Sequence, residues 1–222
     1  MSSPHAGTLS DKLQSVALLA LVGCALVLTG FRVRDYLSTP PDPLEPQELA
    51  NAASFLTGRN RLGRANAPVK IVEFADFQCP YCRKAATDLK ELAALFGDSV
   101  SVEYRHFPLD GHQYARSSAH AAECAADQQR FREYHDLLYA KSDSIGIIDF
   151  VAFARRVQVS DTAAFRSCMQ DSSVAARVAQ DEAAGRRVPV DGTPTLIVNG
   201  KVIRGYPGRE RLTALVREEL RK

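Results

Sequence analysis

The stretch 73–82, EFADFQCPYC, closes an apolar, β-branched run (VKIVEFADF, 69–77) and opens a segment with helical periodicity that stops at Gly97. The run predicts a buried strand, and the segment after Pro80 predicts a helix. Proline suits the first position of a helix because the N–H that it lacks would have no partner there. The two cysteines of the C-x-x-C motif are therefore expected at the start of a helix, directly after a strand.

This position predicts a redox-active cysteine pair. Cys79 is expected over the helix N-terminus, where unpaired N–H groups and the helix dipole stabilise a thiolate, and Arg83 and Lys84 add positive potential. A stable thiolate favours the reduced state, which makes the disulfide a better oxidant. Haem attachment requires a histidine where the chain has Arg83, and a zinc site requires a second ligand pair that the sequence lacks.

Composition and charge exclude several other classes of protein. The chain has 222 residues, of which 45% are hydrophobic and 24% charged, so it is not a disordered or collagen-like chain. A net charge of +2 gives no indication of a nucleic-acid-binding surface. Irregular spacing favours packing or capping roles over metal binding for four histidines, His106, His112, His120 and His135. We expect neither a metal nor a cofactor.

The N-terminal segment 13–31, LQSVALLALVGCALVLTGF, is uncharged and is bracketed by Lys12 and Arg32. Its nineteen residues would span about 28 Å as a helix, close to the hydrocarbon thickness of a bilayer. The nearest A-x-A cleavage pattern, at 50–52, lies about twenty residues too far along for a signal peptide. We therefore predict an uncleaved membrane anchor. The flanking charges do not indicate its orientation.

The remaining sequence predicts a mixed sheet with helices on its faces. A second strand is expected at 100–107, helices over 114–187, a hairpin over 193–206 that turns at Asn199-Gly200, and a closing helix at 209–222. One β-α-β unit and one β-β-α unit, with a helical insertion between them, indicate an α/β fold.

These patterns divide the chain into segments. A short amphipathic helix is expected at 47–57. The predicted parts are a cytoplasmic tail at 1–12, a transmembrane helix at 13–31, a linker at 32–57, and a folded domain at 58–222 whose helical insertion covers about 112–187.

Two motifs resemble one family. The stretch 73–82 resembles the active-site segment of DsbA-like thiol:disulfide oxidoreductases in the thioredoxin superfamily. The stretch 192–200, GTPTLIVNG, resembles the cis-proline loop and hairpin of that family, and segments at 106–109 and 121–139 resemble its helical insertion. The similarity covers about residues 58–222. It implies a thioredoxin fold with an inserted helical subdomain, and an extracytoplasmic or periplasmic oxidoreductase.

The resemblance assigns roles around the motif. Cys79 is the exposed nucleophile and Cys82 the resolving thiol, with Pro80 as support and Tyr81 facing the substrate. The strongest oxidases of the family carry His at the position of Tyr81. C-P-Y-C also occurs in glutaredoxins, which are reductants, but a membrane anchor and a long helical insertion are foreign to small glutaredoxins.

Three further residues match the family pattern. Pro194 corresponds to the cis-proline that faces the disulfide, and Thr193 offers backbone groups to a bound peptide. Glu73 matches a buried acid that exchanges protons with the resolving thiol through water.

Cys124 and Cys168 lie on separate predicted helices of the insertion. Each is flanked by residues that could face a common core, so we predict a structural disulfide between them.

Together these features predict an enzyme, a membrane-anchored protein disulfide oxidase. It would donate its Cys79–Cys82 disulfide to cysteine-containing translocated proteins. An integral-membrane, quinone-linked partner would re-oxidise it, as the resemblance implies. Cytosolic thiol buffers would keep such a pair reduced, so the domain is expected to face the periplasm, on a single-pass anchor in the cell membrane. The alternatives are a reductase or isomerase of the same fold, and a non-catalytic peptide-binding or chaperone module.

Overall fold

The structure, a computed structural model, describes residues 9–38, 44–49, 59–188 and 190–222, with only the backbone for 9–17 and 35–38. The chain divides into two units, 1–42 and 43–222.

The first unit contains helix α1, Leu9–Ser38, which includes the predicted membrane segment. The helix continues past Phe31 into the predicted linker because no proline or glycine follows until Pro40. Within the part of the chain that the structure describes, no helix is both long and apolar enough to cross a bilayer. The transmembrane segment therefore stays a prediction.

A six-stranded mixed sheet forms the centre of the second unit. Its order is β1-β6-β5-β3-β4-β2, and all neighbours are antiparallel except the pair β3 and β4. The strands are β1 Gln47–Glu48, β2 Asn60–Leu62, β3 Val69–Ala75, β4 Val100–His106, β5 Thr195–Val198 and β6 Lys201–Arg204.

The helix predicted at 47–57 is wrong at its start. Gln47 and Glu48 pair with Val202 and Lys201 of β6, and the backbone N–H of Leu49 donates to the carbonyl of Gly200 over 2.7 Å. The free edge of the hairpin thus holds this segment extended. Residues 50–58 lie outside the described part of the chain.

The helices follow the predicted order. They are α2 Pro80–Phe96, α3 Ala115–Asp127, α4 Phe131–Ala140, α5 Phe150–Arg156, α6 Thr162–Cys168, α7 Ser172–Arg187 and α8 Arg209–Glu219. Helices α3 to α7 form the insertion between β4 and β5. The α-helices of the insertion are interrupted at 141–149 and at 157–161. Two further breaks occur at 128–130 and 169–171, the first with Gln129 at a positive φ of 58°.

Strand β3 supplies both faces of the core. Ile71 packs with residues of α2 and α8 on one face, and Val72 and Phe74 pack beneath α7 on the other. Gly185 of α7 permits this close approach, because a Cβ there would lie 2.6 Å from the ring of Phe107. The central strand is thereby fixed on both sides, and with it the active-site segment at its end.

The insertion has its own core, which is cross-linked. Cys124 of α3 and Cys168 of α6 form the expected disulfide, with Cα atoms 5.8 Å apart. Their core cluster extends to Cys79 and Cys82. The insertion therefore packs directly against the inner side of the C-x-x-C motif.

Candidate active site

The C-x-x-C motif lies at the start of α2, shortly after the end of β3. Cys79 is the N-cap residue and Pro80 the first residue of the helix, and the N–H of Arg83 donates to the carbonyl of Cys79 over 3.1 Å. Cys79 and Cys82 are free thiols. The predicted exposure of Cys79 is wrong, since the residue is only 5% exposed.

The cis-proline loop covers Cys79. The Thr193-Pro194 peptide bond is cis, as the resemblance implied, and it directly precedes β5. The Cys79 thiol donates to the carbonyl oxygen of Thr193 over 3.3 Å. Tyr81 follows Cys79 by two residues. Its side chain is 57% exposed, and the centre of its ring lies 5.4 Å from the Lys84 ammonium. The structure thus brings Cys79, Thr193 and Pro194 together, with Tyr81 at the surface beside them.

Asp76 anchors the loop that leads into the motif. Its carboxylate accepts from the backbone N–H groups of Gln78, at 2.7 Å, and Leu109, at 2.9 Å. The Nδ1 of His112 lies 2.7 Å from the same carboxylate. This acid is buried, and it ties the loop before Cys79 to the loop after β4. Sequence reasoning gave Asp76 no role, although an acid three residues before a helix N-cap is a recognisable loop-anchoring signal.

Aromatic side chains close the inner side of the site. The ring of Phe77 stacks on Tyr104, with centroids 5.2 Å apart, and lies 4.9 Å from the ring of Tyr139. The two tyrosine hydroxyls are 3.2 Å apart. Cys82 is fully buried in the same cluster, so its environment is apolar.

The two thiols differ strongly in acidity. A hydrogen bond from Cys82 is the largest cause that lowers the pKa of Cys79 to about 5, against an opposing effect of burial. The backbone N–H groups of Cys82 and Tyr81 lower it further. Burial, followed by the hydrogen bond to Cys79, raises the pKa of Cys82 well above its ordinary value. At neutral pH the pair therefore consists of a Cys79 thiolate and a Cys82 thiol.

The two cations expected to assist Cys79 point elsewhere. Arg83 donates to Ser142 over 2.9 Å and pairs with Asp143, while Lys84 lies over the ring of Tyr81. The acidity of Cys79 arises mainly from hydrogen bonds instead.

Glu73 is buried in β3, only 1% exposed. Burial, and secondly the charge of Cys79, raises the pKa of Glu73 to about 8. Its Oε1 atom has no hydrogen-bond partner in the described ranges. The carboxyl is thus protonated at neutral pH, and its charged form would interact with Cys82.

The histidines contact separate partners. The Nε2 of His106 lies 3.1 Å from Glu123, and the Nδ1 of His135 lies 3.0 Å from Asp136. In the described part of the chain, no group of three or more His, Cys, Asp or Glu side chains is arranged to hold a metal ion.

The site and fold match known proteins. The sequence model of the thioredoxin family matches residues 57–218. The chain belongs to the thioredoxin family. A thioredoxin-like oxidoreductase from Silicibacter pomeroyi is 26% identical, with a TM-score of 0.67 over 78% of this chain and 99% of that one. Pseudomonas aeruginosa DsbA2 is also 26% identical, with a TM-score of 0.61 over 72% of this chain and 93% of that one. The resemblance to DsbA-like thiol:disulfide oxidoreductases is confirmed, as is the thioredoxin fold with a helical insertion.

Bacillus subtilis BdbD in its oxidised form shares the fold at 21% identity. Its TM-score is 0.68, over 80% of this chain and 98% of that one.

Curated relatives of this thioredoxin-family chain are much longer proteins. It is 44% identical over 157 residues to the Na(+)/H(+) antiporter NhaA 3 of Salinispora tropica, which covers 69% of this chain and 24% of that protein. It is 34% identical over 197 residues to NhaA 1 of Mycolicibacterium gilvum, covering 86% of this chain and 31% of that one. The chain thus spans about a quarter to a third of the length of these relatives.

The acidity of Cys79 can be measured directly. We expect the thiolate absorbance of the reduced protein to titrate with a midpoint near pH 5, and Cys82→Ala to raise that midpoint by removing the largest stabilising hydrogen bond. Cys79→Ser should abolish the transition, whereas Cys24→Ala should leave it unchanged. A wild-type midpoint near pH 9, the ordinary value, would contradict this assignment.

The protonation of Glu73 should appear in the pH dependence of stability. An acid whose pKa is raised on folding, here from 4.5 to about 8, stabilises the fold fully below pH 4.5, and this contribution is lost as the pH rises through 8. Between pH 5 and pH 9, urea unfolding should therefore show wild type losing on the order of 4 kcal/mol relative to Glu73→Gln. A constant difference between the two proteins would show that Glu73 does not titrate abnormally.

Proposed function

We propose that the protein oxidises cysteine pairs of other proteins by transferring its Cys79–Cys82 disulfide to them. The observation that carries this proposal is the opposite shift of the two thiol pKa values. A stabilised Cys79 thiolate lowers the free energy of the dithiol form relative to the disulfide. The disulfide is therefore readily given up to a substrate.

The reaction proceeds by two thiol–disulfide exchanges. A substrate thiolate attacks the sulfur of Cys79, forming a mixed disulfide and breaking the Cys79–Cys82 bond. Cys82 leaves as a thiolate and takes a proton, for which Glu73, protonated at neutral pH, is the nearby donor. A second substrate thiolate then attacks the substrate sulfur of the mixed disulfide, so that Cys79 leaves as a thiolate. Two substrate thiols are oxidised and one disulfide is reduced.

The low pKa of Cys79 favours the second exchange. A thiol with a lower pKa is the better leaving group, so the substrate is released rather than retained as a mixed disulfide. Glu73 then regains a proton from solvent, so the reduced site carries a single negative charge, on the Cys79 thiolate.

Substrate peptide is proposed to lie along the cis-proline loop. The carbonyl oxygen of Thr193 lies 3.3 Å from the Cys79 sulfur, so a peptide bound along this loop would pass close to Cys79. Backbone groups next to Pro194 can pair with an extended peptide, and the exposed ring of Tyr81 offers apolar contact. Pro80 supports the arrangement by starting α2 directly after Cys79.

The proposed location is the outer side of the cell membrane. The uncharged segment 13–31 would serve as a single-pass anchor, with 1–12 in the cytoplasm, 32–57 as a linker and the domain 58–222 in the periplasm. A disulfide between Cys124 and Cys168 is typical of an oxidising compartment. An integral-membrane, quinone-linked protein would restore the Cys79–Cys82 disulfide.

Oxidation of a reduced, unfolded protein tests the proposal. With one equivalent of the oxidised full chain, we expect substrate thiols to disappear within minutes and no transfer by Cys79→Ser. Reduced Cys82→Ala, mixed instead with the disulfide form of the substrate, should be trapped as a mixed disulfide through Cys79. Cys24→Ala is the matched control. Faster reduction of an oxidised substrate than oxidation of a reduced one would favour a reductase. Equal function of Cys79→Ser in suppressing aggregation would favour a chaperone.

A further inference from the structure

A cavity of about 290 Å³ lies between α2, β4 and α4. This volume would hold about ten water molecules at the density of liquid water. It is near the lower end of the volume range of pockets that bind small molecules. The walls are mainly apolar and include Leu62, Leu89, Ala93, Val102 and Tyr104. An apolar group is more stable in contact with such walls than in bulk water.

Glu73 supplies a polar group within this cavity. It is a lining residue, it is 1% exposed, and its Oε1 atom lacks a hydrogen-bond partner among the residues that the structure describes. Protonated at neutral pH, the carboxyl can donate one hydrogen bond to an acceptor. Buried polar atoms are nearly always satisfied, so an acceptor is expected here.

The rim of the cavity is positively charged. Lys90 of α2 lies 2.6 Å from Asp136 of α4, whose other oxygen lies 3.0 Å from His135. Burial lowers the pKa of His135, which keeps that ring neutral near pH 7. Arg132, exposed on α4, adds a second cation, so that two cations face one carboxylate at the rim.

We propose that this cavity binds a small organic anion with an apolar body. The body fills the space beside Ala93, a hydrogen-bond acceptor contacts Glu73 and an anionic group lies at Arg132 and Lys90. This binding does not depend on the direction of electron transfer, so its test is separate from that of the oxidase proposal.

The probe is 4-acetylbenzoate, which carries a ketone and a carboxylate on opposite ends of a ring. Calorimetry and ligand-observed NMR with the full chain should show saturable binding at one site. Acetophenone lacks the carboxylate, and 4-isopropylbenzoate lacks the acceptor. Each should bind about tenfold more weakly, the loss expected for one charge-assisted or buried hydrogen bond.

Two variants locate the site. Ala93→Phe should abolish saturable binding by filling the cavity, and cooperative melting checks that this variant folds. Arg132→Gln should weaken 4-acetylbenzoate about tenfold but leave acetophenone unchanged, because only the former carries the anionic group. Arg166→Gln, an exposed arginine of α6, is the matched control and should bind like wild type.

Three results would overturn the proposal. Absence of saturable binding to wild type would mean that the cavity holds water only. Unchanged binding to folded Ala93→Phe would place the probe elsewhere. If Ala93→Phe does not fold, the binding of both probes to Arg132→Gln tests the proposal instead. Equal weakening of acetophenone and 4-acetylbenzoate by this substitution would contradict the assigned orientation.

Discussion

The hydrogen bonds that converge on the sulfur of Cys79 are the interaction on which the rest of the site depends. These hydrogen bonds require Cys79 to be the N-cap residue of α2. In that position, Cys82 and the first N–H groups of the helix all face the Cys79 sulfur. The same sulfur must also meet the loop at Thr193, 114 residues away in the chain. The sheet satisfies both demands because β3 and β5 are hydrogen-bonded neighbours.

The surrounding structure keeps this geometry in place. Asp76 fixes the loop before Cys79, and the rings of Phe77, Tyr104 and Tyr139 form an apolar cluster that includes Cys82. Burial raises the pKa of both thiols and of Glu73 alike. It keeps Cys82 and Glu73 protonated, whereas hydrogen bonding overcomes burial at Cys79. The site thus holds one negative charge, that of the Cys79 thiolate, and ionisation of a second acid beside it would be unfavourable.

Local signals were sufficient to predict the junction of β3 and α2, the hairpin at Asn199-Gly200 and the insertion, because each rests on periodicity or a turn residue. The burial of Cys79 was not predictable in this way, because its contact with Thr193 joins residues 114 apart in the chain. Likewise, β1 and β2 contain two and three residues and exist only through pairing with β6 and β4. The contact of Asp76 with His112 joins residues 36 apart, which no short motif records.

The central claim is that the stabilised Cys79 thiolate makes the Cys79–Cys82 disulfide an oxidant. The equilibrium reduction potential of this couple in a glutathione buffer tests it most directly. We predict a value between about −120 and −180 mV, the range of strongly oxidising and isomerising family members. A value near −270 mV, typical of a reductant such as thioredoxin, would contradict it.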